Sequence, residues 1–260
     1  MGRMEDALKK AAEDRERARA ESGAAPSAPA SATPVTAGDR VAAPAAAARA
    51  SDTLDERLVV SSAPASPRAE EFRRLRANLA SLSPAPRVIA VAAPSEGQGA
   101  DVIAGNLALA LAEPRSGKIL LIDADLRRGS VASMFAVRPS PGLAEIVLER
   151  LDPSPALLMP SPVPGLDVLP AGAEGADAAR ILRPGSFKAA VTTLGTAYST
   201  VIVVLPAVDS WADGRVIAAD TDGVVLVSRI GGSDRASLKR AYDALIAARA
   251  RVLGTVAFGG

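Results

Sequence analysis

The chain has 260 residues, 30 Lys and Arg against 29 Asp and Glu for a net charge of +1, and neither cysteine nor histidine. Disulfides, thiolate nucleophiles, cysteine-ligated zinc, imidazole bases and His-ligated metals are therefore excluded, which leaves carboxylate, lysine, phosphate-loop or non-catalytic chemistry. The balanced charge offers no broad basic footprint for nucleic acid, and no apolar run is long enough to cross a bilayer.

The opening Met-Gly-Arg-Met-Glu-Asp lacks the apolar core of a signal peptide, so a cytoplasmic protein without direct membrane insertion is expected. Residues 1–22 place Met4, Leu8, Ala11 and Ala12 near one face at helical spacing, among six basic and six acidic side chains. The stretch reads either as a short, solvated charged helix or as a docking helix that orders against a partner. Residues 23–67 are dominated by Ala, Pro and Ser, with almost no large apolar side chain before Leu54. Such a composition cannot bury enough surface to offset its ordering entropy, which predicts a disordered linker with at most a weak extended element at Leu58-Val59-Val60.

From residue 68 the pattern is that of a folded domain running to residue 260. Glu70 to Leu82 reads as a helix. Val88 to Ala92 is a short apolar run bounded by Pro86 and Pro94, as in a buried strand. It leads into Ala93-Pro94-Ser95-Glu96-Gly97-Gln98-Gly99-Ala100-Asp101 and then a helix that includes Asn106 to Ala112. Strand, glycine turn and helix start form the setting of a phosphate-binding loop, although Gly97 and Gly99 by themselves also suit an ordinary strand-to-helix turn. Ile119 to Ile122, Leu166 to Leu169, Val201 to Leu205, Val224 to Val227 and Val252 to Ala257 read as further strands. Helical stretches at Phe187 to Leu194 and Leu238 to Ala248 lie between them. The alternation predicts an α/β fold with a mainly parallel, doubly wound sheet.

Several ordered motifs go beyond that general pattern. They are Glu70-Glu71-Phe72-Arg73-Arg74-Leu75-Arg76-Ala77-Asn78-Leu79, Asn106-Leu107-Ala108-Leu109-Ala110-Leu111-Ala112 and Leu120-Leu121-Ile122-Asp123-Ala124-Asp125-Leu126-Arg127-Arg128. Gly142-Leu143, Leu169-Pro170-Ala171-Gly172 and Asp222-Gly223-Val224-Val225-Leu226-Val227 follow in order. Across residues 69–257 the chain resembles the cytoplasmic domain of bacterial tyrosine autokinases of capsule and exopolysaccharide systems, within the MinD/ParA-like P-loop group.

The resemblance implies a P-loop NTPase-like fold, ATP and magnesium as cofactors, and protein-tyrosine kinase activity. It implies that Asp123 and Asp125 hold magnesium-bound water and assist removal of the acceptor proton. The reading without function is that they cap the next helix and pair with Arg127 or Arg128. It also implies that Glu70, Arg73 and Arg76 assemble subunits, the alternative being a solvated charged face.

The departures are as informative. With the register fixed by Asn106, Ala100 stands at the position of the family's phosphate-loop lysine and Asp101 at its magnesium-binding Ser/Thr. Val204 stands where the strand ordinarily ends in an acidic residue. A lysine about 4 Å from a phosphate oxygen contributes roughly 4 kcal/mol at an effective dielectric near 20. Its loss corresponds to about a thousandfold in affinity. The expectation is a catalytically degenerate protein with a vestigial nucleotide site at Gly97, Gly99, Ala100 and Asp101, needing no cofactor.

Its role would be that of a partner, scaffold or regulator in exopolysaccharide assembly or a related envelope process. It would bind copies of itself, a kinase paralogue or a membrane chain-length (co-polymerase) protein, and be recruited to the inner membrane through that partner. The alternative is a weakly active ATPase or tyrosine kinase in which Asp101, Asp123 and Asp125 ligate magnesium directly. A positioning ATPase of the MinD type is disfavoured, because it would need the same lysine. The sequence ends at Phe258-Gly259-Gly260 without a tyrosine-rich segment, and Tyr198 and Tyr242, its two tyrosines, read as packing residues.

Overall fold

The structure, a computed structural model, describes residues 53–148, 151–172 and 185–259. The charged segment 1–22 and the linker as far as residue 52 lie outside the described residues.

The sheet has seven strands: β1 (Val88–Ala92), β2 (Ile119–Asp123), β3 (Met159–Pro160), β4 (Leu166–Leu169), β5 (Thr200–Val204), β6 (Gly223–Arg229) and β7 (Val252–Phe258). Their order is β3-β4-β2-β5-β1-β6-β7. All neighbours are parallel except the edge pair β3–β4, which is antiparallel. The inner strands are apolar on both faces because helices cover both faces, as parallel sheets require. The short strand β3, unmarked by any alternation in the sequence, carries Pro160 at the edge, where a missing backbone N–H costs no interior ladder bond.

Around the sheet lie α1 (Val59–Ser62), α2 (Pro67–Ala80), α3 (Ala100–Ala112), α4 (Ser130–Met134), α5 (Leu143–Val147), α6 (Ser186–Leu194), α7 (Ala212–Ala219) and α8 (Arg235–Ala247). Residues alternate along each strand between two cores. Ile89, Val91, Leu121 and Ile202 pack with Ile103 and Leu107 of α3, Leu79 of α2 and Met134 of α4. Ala90, Leu120 and Val203 pack with Leu143 of α5, Val191 of α6, Ile217 of α7 and Leu245 of α8. Helix α3 is the most deeply buried of these, with ten of its 13 residues buried. Its apolar, alanine-rich sequence is that of a helix enclosed on all sides.

The linker reading fails over residues 54–67. Leu58 is fully buried, and Leu54, Leu58 and Val60 join the core under α3. The absence of a side chain at Gly105 admits Leu58, since a Cβ there would lie 2.8 Å from Leu58 Cδ2. Asn106 pins the segment: its Oδ1 accepts from the Val60 N–H at 3.0 Å, and its Nδ2 donates to the Arg57 and Val102 carbonyls, each at 2.9 Å. The expected extended piece at Leu58–Val60 is instead the start of α1. Helix α2 begins at Pro67, three residues earlier than expected. Its N-cap Ser66 accepts from the Ala69 N–H at 3.2 Å, with Pro at the first helical position.

The connection from β1 leads through α3 to β2 on one side of the sheet, whereas that from β5 leads through α7 to β6 on the other. The crevice therefore opens at the carboxyl ends of β1 and β5, the usual place for a ligand in a sheet of this kind.

Candidate functional site

The loop after β1 reaches that crevice. Gly97 and Gly99 adopt φ of 71° and 79°, the left-handed region open to glycine at little cost, and Gly99 is the N-cap of α3. The turn delivers the backbone amides at the start of α3 to the cleft, a geometry that favours an anion. Beside them the cleft, open to solvent, is lined by Ala100, Asp101, Asp125, Arg128, Ser130 and Val204. The structure thus brings together Gly97, Gly99, Ala100, Asp101, Asp125 and Val204 as the sequence pairing requires.

Each side chain there has a defined local role. Ala100 contributes a methyl group and no charge. Asp101 lies in the first turn of α3, and its Oδ1 accepts from the Val102 N–H at 2.9 Å. Val204, 2% exposed, closes the floor, and its carbonyl accepts from the Ala124 N–H at 2.9 Å.

Asp123 has no exposed surface. Its Oδ1 accepts from the Asp125 N–H at 3.1 Å and its Oδ2 from the Val131 N–H, in the first turn of α4, at 3.0 Å. Burial pushes its carboxyl up to about 7, against the pull of those two amides. Asp125 is also raised, chiefly by burial, while its Oδ1 accepts from the Arg127 N–H at 3.3 Å. Asp123 thus caps α4, whereas the expected side-chain pairing with Arg127 is replaced: Arg127 forms an ion pair with Asp213 of α7. Among the described residues no three carboxylates come together as a metal-holding group.

The Glu70/Arg73/Arg76 face is engaged within the chain. Arg73 grips Glu113, just beyond α3, in a fork, with Nε at 2.9 Å from Oε2 and Nη2 at 2.7 Å from Oε1; it also reaches Glu70 at 3.4 Å. Arg76 donates to the Ala110 carbonyl at 2.6 Å and lies 3.4 Å from Glu113. The pair ties α2 to the end of α3, which a surface reading of three charges spaced by three could not show. Tyr198 is buried, and its hydroxyl donates to Asp167 at 2.7 Å. Tyr242 is not the packing residue expected, since 46% of it is exposed on α8.

Other contributors to the site come from segments too distant for the sequence to pair with it. Trp211, Arg127 and Asp213 flank the loop at Glu96, while Gln98 is held by Gly232 and Ser233. The one available hint was Trp211, the single tryptophan of the chain.

Fold and cleft together define a P-loop NTPase-like α/β domain. The septum site-determining protein MinD of Pyrococcus horikoshii, solved with Mg-ADP, superposes with a TM-score of 0.56 over 65% of this chain and 68% of that one, at 19% identity. The chain is similar to bacterial tyrosine-protein kinases. The tyrosine-protein kinase YwqD of Bacillus subtilis is 28% identical over 208 residues, covering 79% of this chain and 87% of its relative. Tyrosine-protein kinase CpsD of Streptococcus agalactiae is 26% identical over 188 residues, 72% and 81% of the two chains. Of the longer tyrosine-protein kinase ptk of Acinetobacter johnsonii the matched region spans only 23%. Among solved structures, the chimerical protein CapA2B2 superposes with a TM-score of 0.72 at 26% identity, over 78% of this chain and 89% of that one. The BceF tyrosine kinase domain does so at 0.69 and 27%, over 78% and 81%. No family model matches the chain.

Proposed function

We propose that this chain is a catalytically degenerate relative of the tyrosine kinases. It acts as a partner, scaffold or regulator in exopolysaccharide assembly or a related cell-envelope process. The observation that supports the reading is the meeting of Ala100, Asp101 and Val204 in one cleft. A methyl group takes the lysine position, and an isopropyl group takes the acidic position. Asp101 places its own carboxylate in the first turn of α3, where the helix dipole would otherwise favour phosphate. Its partners would be a copy of itself, a kinase paralogue or a membrane chain-length protein through which it reaches the inner membrane. No described helix is long and apolar enough to cross a membrane. The α2 face contributes to such contacts through Glu70, half exposed beside Arg73.

Calorimetry with ATP and magnesium tests the reading. We expect no binding at physiological nucleotide levels. A dissociation constant of about 10 μM or tighter, near −7 kcal/mol, would overturn it.

A further inference from the structure

We propose that the phosphate loop is latched: side chains of this chain hold it in one conformation that does not depend on nucleotide. Its use as a constant recognition surface rests on the function proposed above. Three loop residues close together in sequence, Glu96, Gln98 and Gly99, are each held from a different part of the fold.

Glu96 accepts at Oε1 from the Trp211 indole N–H at 2.9 Å. The face of that ring carries the Arg127 guanidinium at 3.9 Å from its centroid, and Arg127 is fixed in turn by the Asp213 carboxylate, whose side chain is 4% exposed. An indole held by a cation on its face and an acceptor at its edge has little rotational freedom.

Gln98 is 8% exposed, and both ends of its amide are used. Its Nε2 donates to the Gly232 carbonyl at 3.0 Å, and its Oε1 accepts from the Ser233 hydroxyl at 2.9 Å. Ser233 Oγ also accepts from the Arg229 N–H at 3.0 Å, so the loop between β6 and α8 is ordered by the same hydroxyl that meets Gln98. Shifting the phosphate loop would strand a buried amide, which is the costly outcome for a polar group.

Gly99 is held by shape. The Phe258 ring, at the end of β7, lies so close to it that any Cβ at position 99 would collide with the ring tip. Strand β7, the loop after β6 and the start of α7 thus converge on three residues of the phosphate loop. All of these contacts are between residues of this chain. The rim they build, with Trp211 and the exposed Ile230 beside it, keeps its shape without nucleotide.

Trp211 is the only tryptophan in the 260 residues, so its fluorescence reads the latch directly in the full chain. Emission and acrylamide quenching are measured for wild type with and without millimolar ATP and magnesium, and for Ser233→Ala, Gln98→Ala and Phe258→Leu. The latch predicts no change with nucleotide in wild type, and quenching raised about twofold or more in the variants as local opening becomes easier. Far-UV circular dichroism identifies variants that remain folded. If Phe258→Leu does not fold, Ser233→Ala, which removes one partly exposed hydroxyl, carries the test. Folded variants that quench like wild type overturn the latch, as does a wild-type signal that moves with nucleotide. The two readings fail separately. Tight ATP binding by calorimetry with an unchanged Trp211 signal overturns the proposed function and leaves the latch. Absence of binding with wild-type quenching in every variant does the reverse.

Discussion

Ala100 and Asp101 occupy the first turn of α3, where backbone amides and the helix dipole favour negative charge. Restoring a cation and removing the resident carboxylate should therefore change nucleotide affinity more than any substitution at the rim. For Ala100→Lys with Asp101→Ser we expect at least a tenfold gain in ATP affinity, about 1.4 kcal/mol or more, read by calorimetry against wild type. Turnover should stay absent while Val204 occupies the acidic position. No gain would show that the loop geometry, and not the lost charge, excludes nucleotide.

Asp123 offers a second test at the same scale. Its carboxyl stands at about 7 in the fold because burial disfavours the ion, against about 3.9 in an unfolded chain. A group raised in this way contributes fully below its unfolded value and loses that contribution as pH rises through its folded value. Wild-type stability relative to Asp123→Asn should therefore fall between about pH 4 and pH 7, by up to about 4 kcal/mol. Thermal melts across that range check it. A difference that is flat with pH would mean that Asp123 titrates at its ordinary value.

At the scale of elements, the segment from residue 54 to α1 behaves as part of the domain. Its hydrophobic contribution rests on Leu58, seated over Gly105, and its polar anchor is Asn106. Leu58→Ala should cost about 2–5 kcal/mol, the range for emptying a fully buried leucine site, in chemical denaturation. Limited proteolysis should leave a stable fragment that begins near residue 53 and retains α1. A stable fragment beginning at residue 68 with undiminished melting temperature would show that this segment adds nothing. Strand β7 makes the complementary connection at the other end of the chain, pairing with β6 and placing Phe258 on the phosphate loop.

For the molecule as a whole, the α2 face has two possible uses that one substitution cannot separate. Arg73 and Arg76 hold Glu113 within the chain, so reversing them to Glu would gather like charges between α2 and α3 and lower the melting temperature. The exchange Arg73→Glu with Glu113→Arg restores the internal pair in reversed polarity. We expect it to recover most of the melting temperature. Light scattering then tests assembly: if Arg73 also meets a second subunit or a kinase paralogue, association stays weakened although the fold is restored. Full recovery of both would confine Arg73 to its intrachain role. Exposed ion pairs contribute little individually, so the comparison needs both variants side by side.

The sequence by itself determined the α/β architecture, because each inner strand is a short apolar run buried on two faces and helical stretches separate the runs. It also placed Gly97, Gly99, Ala100, Asp101, Asp123 and Asp125 near one another, since strand-turn-helix order and motif register are local or ordered along the chain. The first strand-to-helix turn was legible for the same reason. What lay beyond it depends on contacts across long stretches of sequence. An isolated Leu58 in an Ala/Pro/Ser-rich stretch carries no periodicity, and only the gap at Gly105 shows that it is core. The triplet on α2 looks like a free charged face until Glu113 is brought beneath it. Gln98, Trp211, Ser233 and Phe258 come together only because the parallel crossovers return β5 and β6 beside β1, and β7 beside β6. Their meeting depends on strand order, a property of the folded sheet that no local spacing encodes.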